Sequence, residues 1–337
     1  MCNIDCCTGK SPIAKRLAAR RLLEIEEEER QKPQIVMATP QSLLYHYDIV
    51  EMMAAYIVSV SEMRPKYGII SGTLLAPITS LIEDPIEIPF ENIPHFPLSH
   101  LEDCKFLVGY VMGAPVIAMA DRFHQYEGYS LATCSLPVRV MQLCGIKTIM
   151  LTCCCLATHP KYDAGDIMLI KDHINFMGMM NMSPMQGPCD PRFGARFFPM
   201  VNAYNPDLIK SALEIGKTLG LQKHLYSGVF AFCGGPYRIA PAEEELLRRL
   251  GADVIGTSLV PEVLAAHHAG IRIFAFAFVT VVAHSKPQEE FEDPRMAAKV
   301  AIESVEVTPQ KRQACTDLIG RLIYHMHHGN VDSDSPK

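Results

Sequence analysis

Arg122-Phe123-His124-Gln125-Tyr126-Glu127-Gly128-Tyr129 follows directly on an apolar run at 115–120 that reads as a strand, and this placement decides how the chain is read. Strand ends that open into loops are where α/β proteins carry their chemistry. The Arg122 guanidinium is a planar, permanently charged fork that suits phosphate oxygens. The His124 imidazole can donate or relay a proton, and the Glu127 carboxylate can orient either group or hold a hydroxyl. On composition alone the same loop equally fits a packed turn of polar and aromatic residues.

Working outward, a helical pattern at 43–63 passes through Arg64-Pro65-Lys66 into a short buried strand, Tyr67-Gly68-Ile69-Ile70, which ends at Gly72-Thr73. Further strands are predicted at 106–110, 115–120, 148–152, 166–170, 226–233, 254–257 and 273–278. Helices are predicted at 131–144, 205–219, 241–250 and 261–269, with Gly145, Gly220, Gly251 and Gly270 standing where C-caps belong. This alternation predicts an α/β fold: a single domain with a mixed, largely parallel sheet flanked by helices. Residues 1–40 read as an extension, because 11–32 alternates basic and acidic blocks beside a thin apolar stripe and Pro33 and Pro40 then break it. A charged helix or a disordered tail fits that pattern. The domain is expected to span 41–329, with 330–337 a disordered tail.

Composition narrows the function classes. At 337 residues, 49% hydrophobic and 20% charged, the chain has ordinary globular usage and enough length for a sizeable core. A formal charge of −6 with interspersed Lys and Arg offers no basic stripe, which argues against nucleic acid as a partner. The longest apolar runs, 69–81 and 271–283, are too short for a membrane span of about 20 residues. No secretory pattern opens the sequence, so a reducing, cytoplasmic location is expected, and the twelve cysteines are expected to remain thiols.

The loop pattern Arg-Phe-His-x-Tyr-Glu-Gly-Tyr resembles the signature of the trimeric purine nucleoside phosphorylases. Leu136-Pro137-Val138-Arg139-Val140, the run from Gly165-Asp166 to Ile174-Asn175, and Leu250-Gly251-Ala252-Asp253 through Thr257-Ser258 follow that family's order. Val260-Pro261-Glu262-Val263 follows it too, so the resemblance runs from about Tyr47 to about Val282. It implies phosphorolysis: inorganic phosphate displaces a purine from a ribonucleoside, giving free base and ribose 1-phosphate in purine salvage. Phosphate is then a co-substrate, with no metal or organic cofactor, and a homotrimer is implied.

Carried over by motif, the phosphate set is Thr73, Arg122, His124, Cys154 and Ser258. Tyr126, Thr257 and Phe197 form the ribose and nucleoside set, with Phe197 matching the Phe that neighbouring subunits lend each other. Departures are concentrated elsewhere. The family's Gly-rich first loop reads Ser71-Gly72-Thr73-Leu74-Leu75-Ala76-Pro77, and its Asn-Ala-Ala-Gly-Gly turn reads Cys153-Cys154-Cys155-Leu156-Ala157. Glu102 stands where the family has a His. In the base half, the Phe-Glu pair reads Arg238-Ile239 and the Thr-Asn pair reads Thr280-Val281, so neither base-reading side chain is present.

Other conspicuous residues take plainer readings. Adjacent Cys153, Cys154 and Cys155 cannot converge on one tetrahedral zinc and are read as packing. Cys2, Cys6 and Cys7 are read as disordered spectators, and His267, His268, His325, His327 and His328 as structural or exposed. Glu127 is expected to buttress Arg122, and Glu262 to favour a helix start after Pro261. Two classes of function remain: a divergent phosphorylase with altered base preference or reduced turnover, and a non-catalytic paralogue using the same scaffold to bind a ligand or assemble with active subunits.

Overall fold

The computed structural model describes residues 46–99, 104–119, 121–236, 239–282 and 308–329. Its centre is a nine-stranded sheet built from β1 (Tyr67–Ile70), β2 (Glu83–Pro89), β3 (Lys105–Val111), β4 (Ala114–Met119), β5 (Thr148–Ala157), β6 (Ile167–Asn175), β7 (Leu225–Phe232), β8 (Val254–Gly256) and β9 (Arg272–Val282). The order is β2-β3-β4-β1-β5-β8-β7-β6-β9. Strand β5 also pairs in parallel with β9 along its length, so β5, β8, β7, β6 and β9 close on themselves and β1 to β4 extend from the closed part as an open wing. Parallel pairing joins β1 to β4 and β5, and β7 to β6 and β8; antiparallel pairing joins β3 to β2 and β4, β5 to β8, and β6 to β9. The sheet is thus mixed, as the alternating pattern predicts.

Helices cover both faces. On one side lie α1 (Tyr47–Ser61), α2 (Leu131–Cys144) and, later in the chain, a helix at Val260–His268. On the other lie a 3-10 segment (Thr73–Leu81), α3 (Pro206–Thr218) and the long C-terminal helix Pro309–His328. Among the described residues the last three helices in chain order are α4 (Pro241–Arg249), α5 (Val260–His268) and α6 (Pro309–His328). Local chemistry sets their ends. Ser130 accepts the Thr133 N–H at the start of α2, and Asn205 accepts from Asp207 and Leu208 ahead of Pro206 in α3. All four predicted C-cap glycines, Gly145, Gly220, Gly251 and Gly270, take positive φ.

Four differences from the sequence reading have physical causes. Residues 71–77 are no open loop: from Thr73 the backbone winds into the 3-10 segment. Strand β5 runs on through the cysteines to Ala157, where β-sheet pairing with β8 and β9 holds the stretch extended. Strand β6 likewise continues to Asn175 against β7. Strand β2 and helix α6 are additional elements, the latter burying Cys315, Leu318, Ile319, Leu322, Ile323 and Met326 on one stripe. Among the described residues no helix is long and apolar enough to cross a membrane.

Candidate active site

Phe123 anchors the 122–129 loop. Its ring is buried against Phe90, Phe96 and Tyr129 at centroid distances of 5.9, 6.0 and 4.8 Å, which leaves the flanking Arg122 and His124 directed by polar partners instead. Arg122 Nη2 donates to the carbonyls of Ile70 (3.1 Å) and Thr152 (2.5 Å), tying the end of β1 to the middle of β5. Its Nη1 donates to Ser258 Oγ at 3.1 Å. Its Nε lies 3.5 Å from Glu262 Oε1, and both side chains are only 2% exposed. Buried charges demand such a partner. Burial pushes the Glu262 carboxyl upward, against the pull of Arg122 and of backbone N–H groups at Glu262 and Leu259.

This corrects one expectation and adds to another. Glu127 does not buttress Arg122; its carboxylate accepts the backbone N–H of His124 at 2.9 Å and sits 3.4 Å from His124 Nδ1. Glu262 does stand in the first turn of α5, as expected after Pro261, and is in addition the counter-charge of Arg122. The signal available for it was that an Arg at the end of a buried strand needs a carboxylate, and besides Glu127 the run Val260-Pro261-Glu262 supplies one just after Ser258.

His124 stacks on Tyr126 with centroids 4.8 Å apart and 22° between planes. Burial, helped by the Arg122 charge, lowers its pKa to about 4, so the ring is neutral at pH 7. Tyr126 is 42% exposed, and burial of the rest raises its hydroxyl pKa. Gly235 joins this edge to Thr257. A Cβ there would stand 2.6 Å from Thr257 Cγ2 and 3.6 Å from Tyr126 Cδ1, and its φ of +64° is one that glycine adopts readily. Arg122, Ser258, Thr257, Gly235, Tyr126 and His124 therefore form one connected patch. Gly234 and Met177, with Met177 Sδ 3.5 Å from where a Gly234 Cβ would lie, extend it and were not foreseen.

The other expected positions distribute as follows. Thr73 opens the 3-10 segment, and the preceding Gly72 N–H donates to Thr152 Oγ1 at 3.2 Å. Cys154 lies half-buried on β5 between two glycines: a Cβ on Gly72 would come 3.7 Å from Cys154 N, and one on Gly256 3.3 Å from Cys154 O. Its neighbours Cys153 and Cys155 are buried, with burial pushing both thiols up. Ile239 packs beside Ala231, Leu247, Ala252 and Ile255, in an apolar cluster. Val281 is half-buried on β9 opposite Leu156, while Thr280 Oγ1 donates to the Cys155 carbonyl. Phe197 is 91% exposed. Arg238, Glu102, Cys2, Cys6 and Cys7 lie outside the described residues. His267 and His268 hold the 195–199 stretch through the Pro199 and Ala195 carbonyls, a structural role.

Ser258 opens the turn into α5, and the turn is strained. Leu259, fully buried, has φ 77° and ψ −44°, and the Val260 N–H donates to the Ser258 carbonyl at 3.0 Å. That three-residue turn is uncommon and costs on the order of 1–3 kcal/mol. Arg122 to one side and Glu262 one turn further on hold it in place. A small cleft lined by Arg139, Met185, Asp190, Phe193, Arg196 and His268 shares no residue with this patch, and its Arg139 guanidinium is stacked on Phe193 at 4.5 Å. No group of three His, Cys, Asp or Glu among the described residues is arranged to hold a metal ion.

A closed mixed sheet with helices on both faces, carrying an Arg–Ser pair beside a His–Tyr edge, defines the class as an α/β protein with a single mixed sheet. The phosphorylase superfamily profile matches residues 66–323. The purine nucleoside phosphorylase of Anopheles gambiae is 40% identical over 286 residues, 84% of this chain and 79% of that protein. Among solved structures, isoform 2 of the Schistosoma mansoni purine nucleoside phosphorylase, in complex with cytosine and ribose-1-phosphate, is 33% identical with a TM-score of 0.72, covering 83% of this chain and 96% of that one. The Schistosoma mansoni enzyme with adenosine gives 32% identity and a TM-score of 0.74 over 82% and 96%. The chain belongs to the phosphorylase superfamily, within its purine nucleoside phosphorylase group.

Proposed function

We propose that this chain seats phosphate at Arg122, His124 and Ser258, with Thr73 and Cys154 at the rim, and a nucleoside against Tyr126 and Thr257, for phosphorolysis. The observation that carries this reading is the Arg122–Ser258 hydrogen bond joined to the His124–Tyr126 stack through Thr257 and Gly235. In the reaction a phosphate oxygen forms the new bond to C1′ as the C1′–N bond to the base breaks, so positive charge grows on ribose and negative charge on the base. Arg122 supplies fixed positive charge, and neutral His124 offers a hydrogen bond without repelling or competing with it. Phe197 of a neighbouring subunit in a homotrimer completes the sugar side.

Base release is the weak half. Apolar Ile239 and Val281 cannot hydrogen-bond a departing purine, and losing one such contact costs on the order of 3 kcal/mol, about a hundredfold in rate. Altered base preference or reduced turnover follows. The packing of Ile239 into an apolar cluster also favours a second reading, a non-catalytic subunit on the same scaffold. As a phosphorylase the site works in cytoplasmic purine salvage and needs phosphate and no cofactor; in either case it is carried by residues 41–329, with 1–40 and 330–337 as appendages.

The test is phosphate-dependent cleavage of a panel of purine and pyrimidine nucleosides, with Ser258→Ala as control. Turnover lost in the variant supports the phosphorylase. A normal rate with inosine refutes the account of the base half. Phosphate binding without turnover of any nucleoside moves the assignment to the non-catalytic subunit, and absence of phosphate binding overturns the assignment of Arg122, His124 and Ser258.

A further inference from the structure

Arg122 grips a strained turn at both ends. Its Nη1 holds the Ser258 hydroxyl before Leu259, and its Nε faces the Glu262 carboxylate three residues beyond it. Nε and Oε1 are both buried, 3.5 Å apart, and neither has a hydrogen-bond partner among the described residues. A guanidinium has a rigid planar fork, so fixing the Nε edge fixes where Nη1 points. The two carbonyls on Nη2 determine how deep the group lies but belong to other segments, Ile70 at the end of β1 and Thr152 within β5. Glu262 gives the guanidinium a second tie, beside the Ser258 hydroxyl, to the segment 258–262.

We propose that Glu262 is a positioning residue for the phosphate seat: its carboxylate holds the Nε edge of Arg122 so that Nη1 and the Ser258 hydroxyl converge on one anion. The inference rests on the phosphate assignment made above. Glu262 touches no substrate in this arrangement. Its negative charge opposes phosphate at longer range, so charge and orientation act with opposite sign, and this makes the proposal decidable. If Glu262 were only a counter-charge, removing the charge would tighten phosphate binding. If it orients Arg122, removing the charge frees the fork, which weakens phosphate binding.

The experiment is calorimetric titration of the full chain with inorganic phosphate and, separately, with inosine, for wild type and Glu262→Gln. Glu262→Asp, which keeps the charge but draws the carboxylate back from Nε, is run beside it and replaces the Gln variant if that fails to fold. The expected result is a phosphate Kd raised tenfold or more in Glu262→Gln, about 1.4 kcal/mol, with inosine Kd changed less than threefold. The Asp variant is expected to fall between. Unchanged or tighter phosphate binding in the folded variant overturns the proposal, as does an equal loss for phosphate and inosine, which a purely structural role would give. Wild type that binds no phosphate overturns the seat itself and this proposal with it, whereas a defect-free variant overturns the proposal alone.

Discussion

His124 shows how a single buried ring ties site and stability together. Its pKa falls from 6.5 to about 4 on folding, through burial first and the Arg122 charge second. Between those values the unfolded chain binds a proton that the folded chain does not, so stability is lost as pH drops from about 6.5 toward 4. The shift corresponds to roughly 3 kcal/mol. His173 and His268 are lowered in the same direction, mainly by burial, so His124→Gln should flatten the fall in melting temperature between pH 7 and pH 5 without abolishing it. Equal falls in both proteins would show that His124 is not desolvated. Arg122 gives a second, sharper case. Arg122→Ala leaves the 2%-exposed Glu262 carboxylate without its counter-charge and should cost about 3–5 kcal/mol in urea denaturation. Ser258→Ala removes one hydrogen bond to a charged group at a half-buried position and should cost no more than about 1–2 kcal/mol. A loss below about 1 kcal/mol for Arg122→Ala would mean that the pair is solvated after all.

At the scale of elements, α6 carries a stabilising load that its sequence hides among polar residues. Leu322 is fully buried against the open face of the sheet beside Leu318, Ile319 and Ile323, so Leu322→Ala should cost about 2–5 kcal/mol. Tyr324, on the outward face and half exposed, should change stability by about 0.5 kcal/mol or less when replaced by Ala. Paired thermal melts check both, and equal effects would contradict the packing assigned to this helix. The elements that the residues announced were those whose signals are local. Continuous apolar runs at 67–70, 106–110 and 115–120 and glycines at helix ends depend on neighbours within a few positions. Strand β2 was hidden because Glu83–Pro89 alternates Pro85 and Pro89 with acids, a pattern tolerated at the sheet edge where it pairs with β3 alone. The cysteine run hid the end of β5, whose extension depends on pairing with β9 more than a hundred residues away. The site divides the same way. The 122–129 motif pointed to Arg122, His124 and Tyr126, whereas the Glu262 contact and the approach of Gly235 to Thr257 exist only once distant segments meet.

At the scale of the whole molecule, the exposed apolar side chains decide the last prediction. Phe197 is 91% exposed, and Met179, Met180 and Val201, in the same stretch between β6 and α3, are also largely exposed. Large apolar side chains this exposed in one stretch of chain suit a contact with a second copy of the chain. A ring of identical chains can use such a surface repeatedly, each subunit offering its Phe197 stretch to the Tyr126 side of the next. The full chain should therefore sediment at three times its 37.5 kDa mass. Phe197→Ala should weaken nucleoside binding about tenfold or more, as loss of a buried aromatic anchor does, while leaving phosphate binding and the melting temperature nearly unchanged. Complementation then separates a lent Phe197 from one that folds back on its own subunit. Tyr126→Ala and Phe197→Ala chains are each defective alone, but unfolded together in equal amounts and refolded they form mixed rings. If Phe197 serves the next subunit, about one quarter of the sites regain both an intact Tyr126 and an intact Phe197, and calorimetry finds that fraction of wild-type nucleoside sites. If Phe197 serves its own subunit, every site in the mixture lacks one of the two, and no wild-type site appears at any ratio.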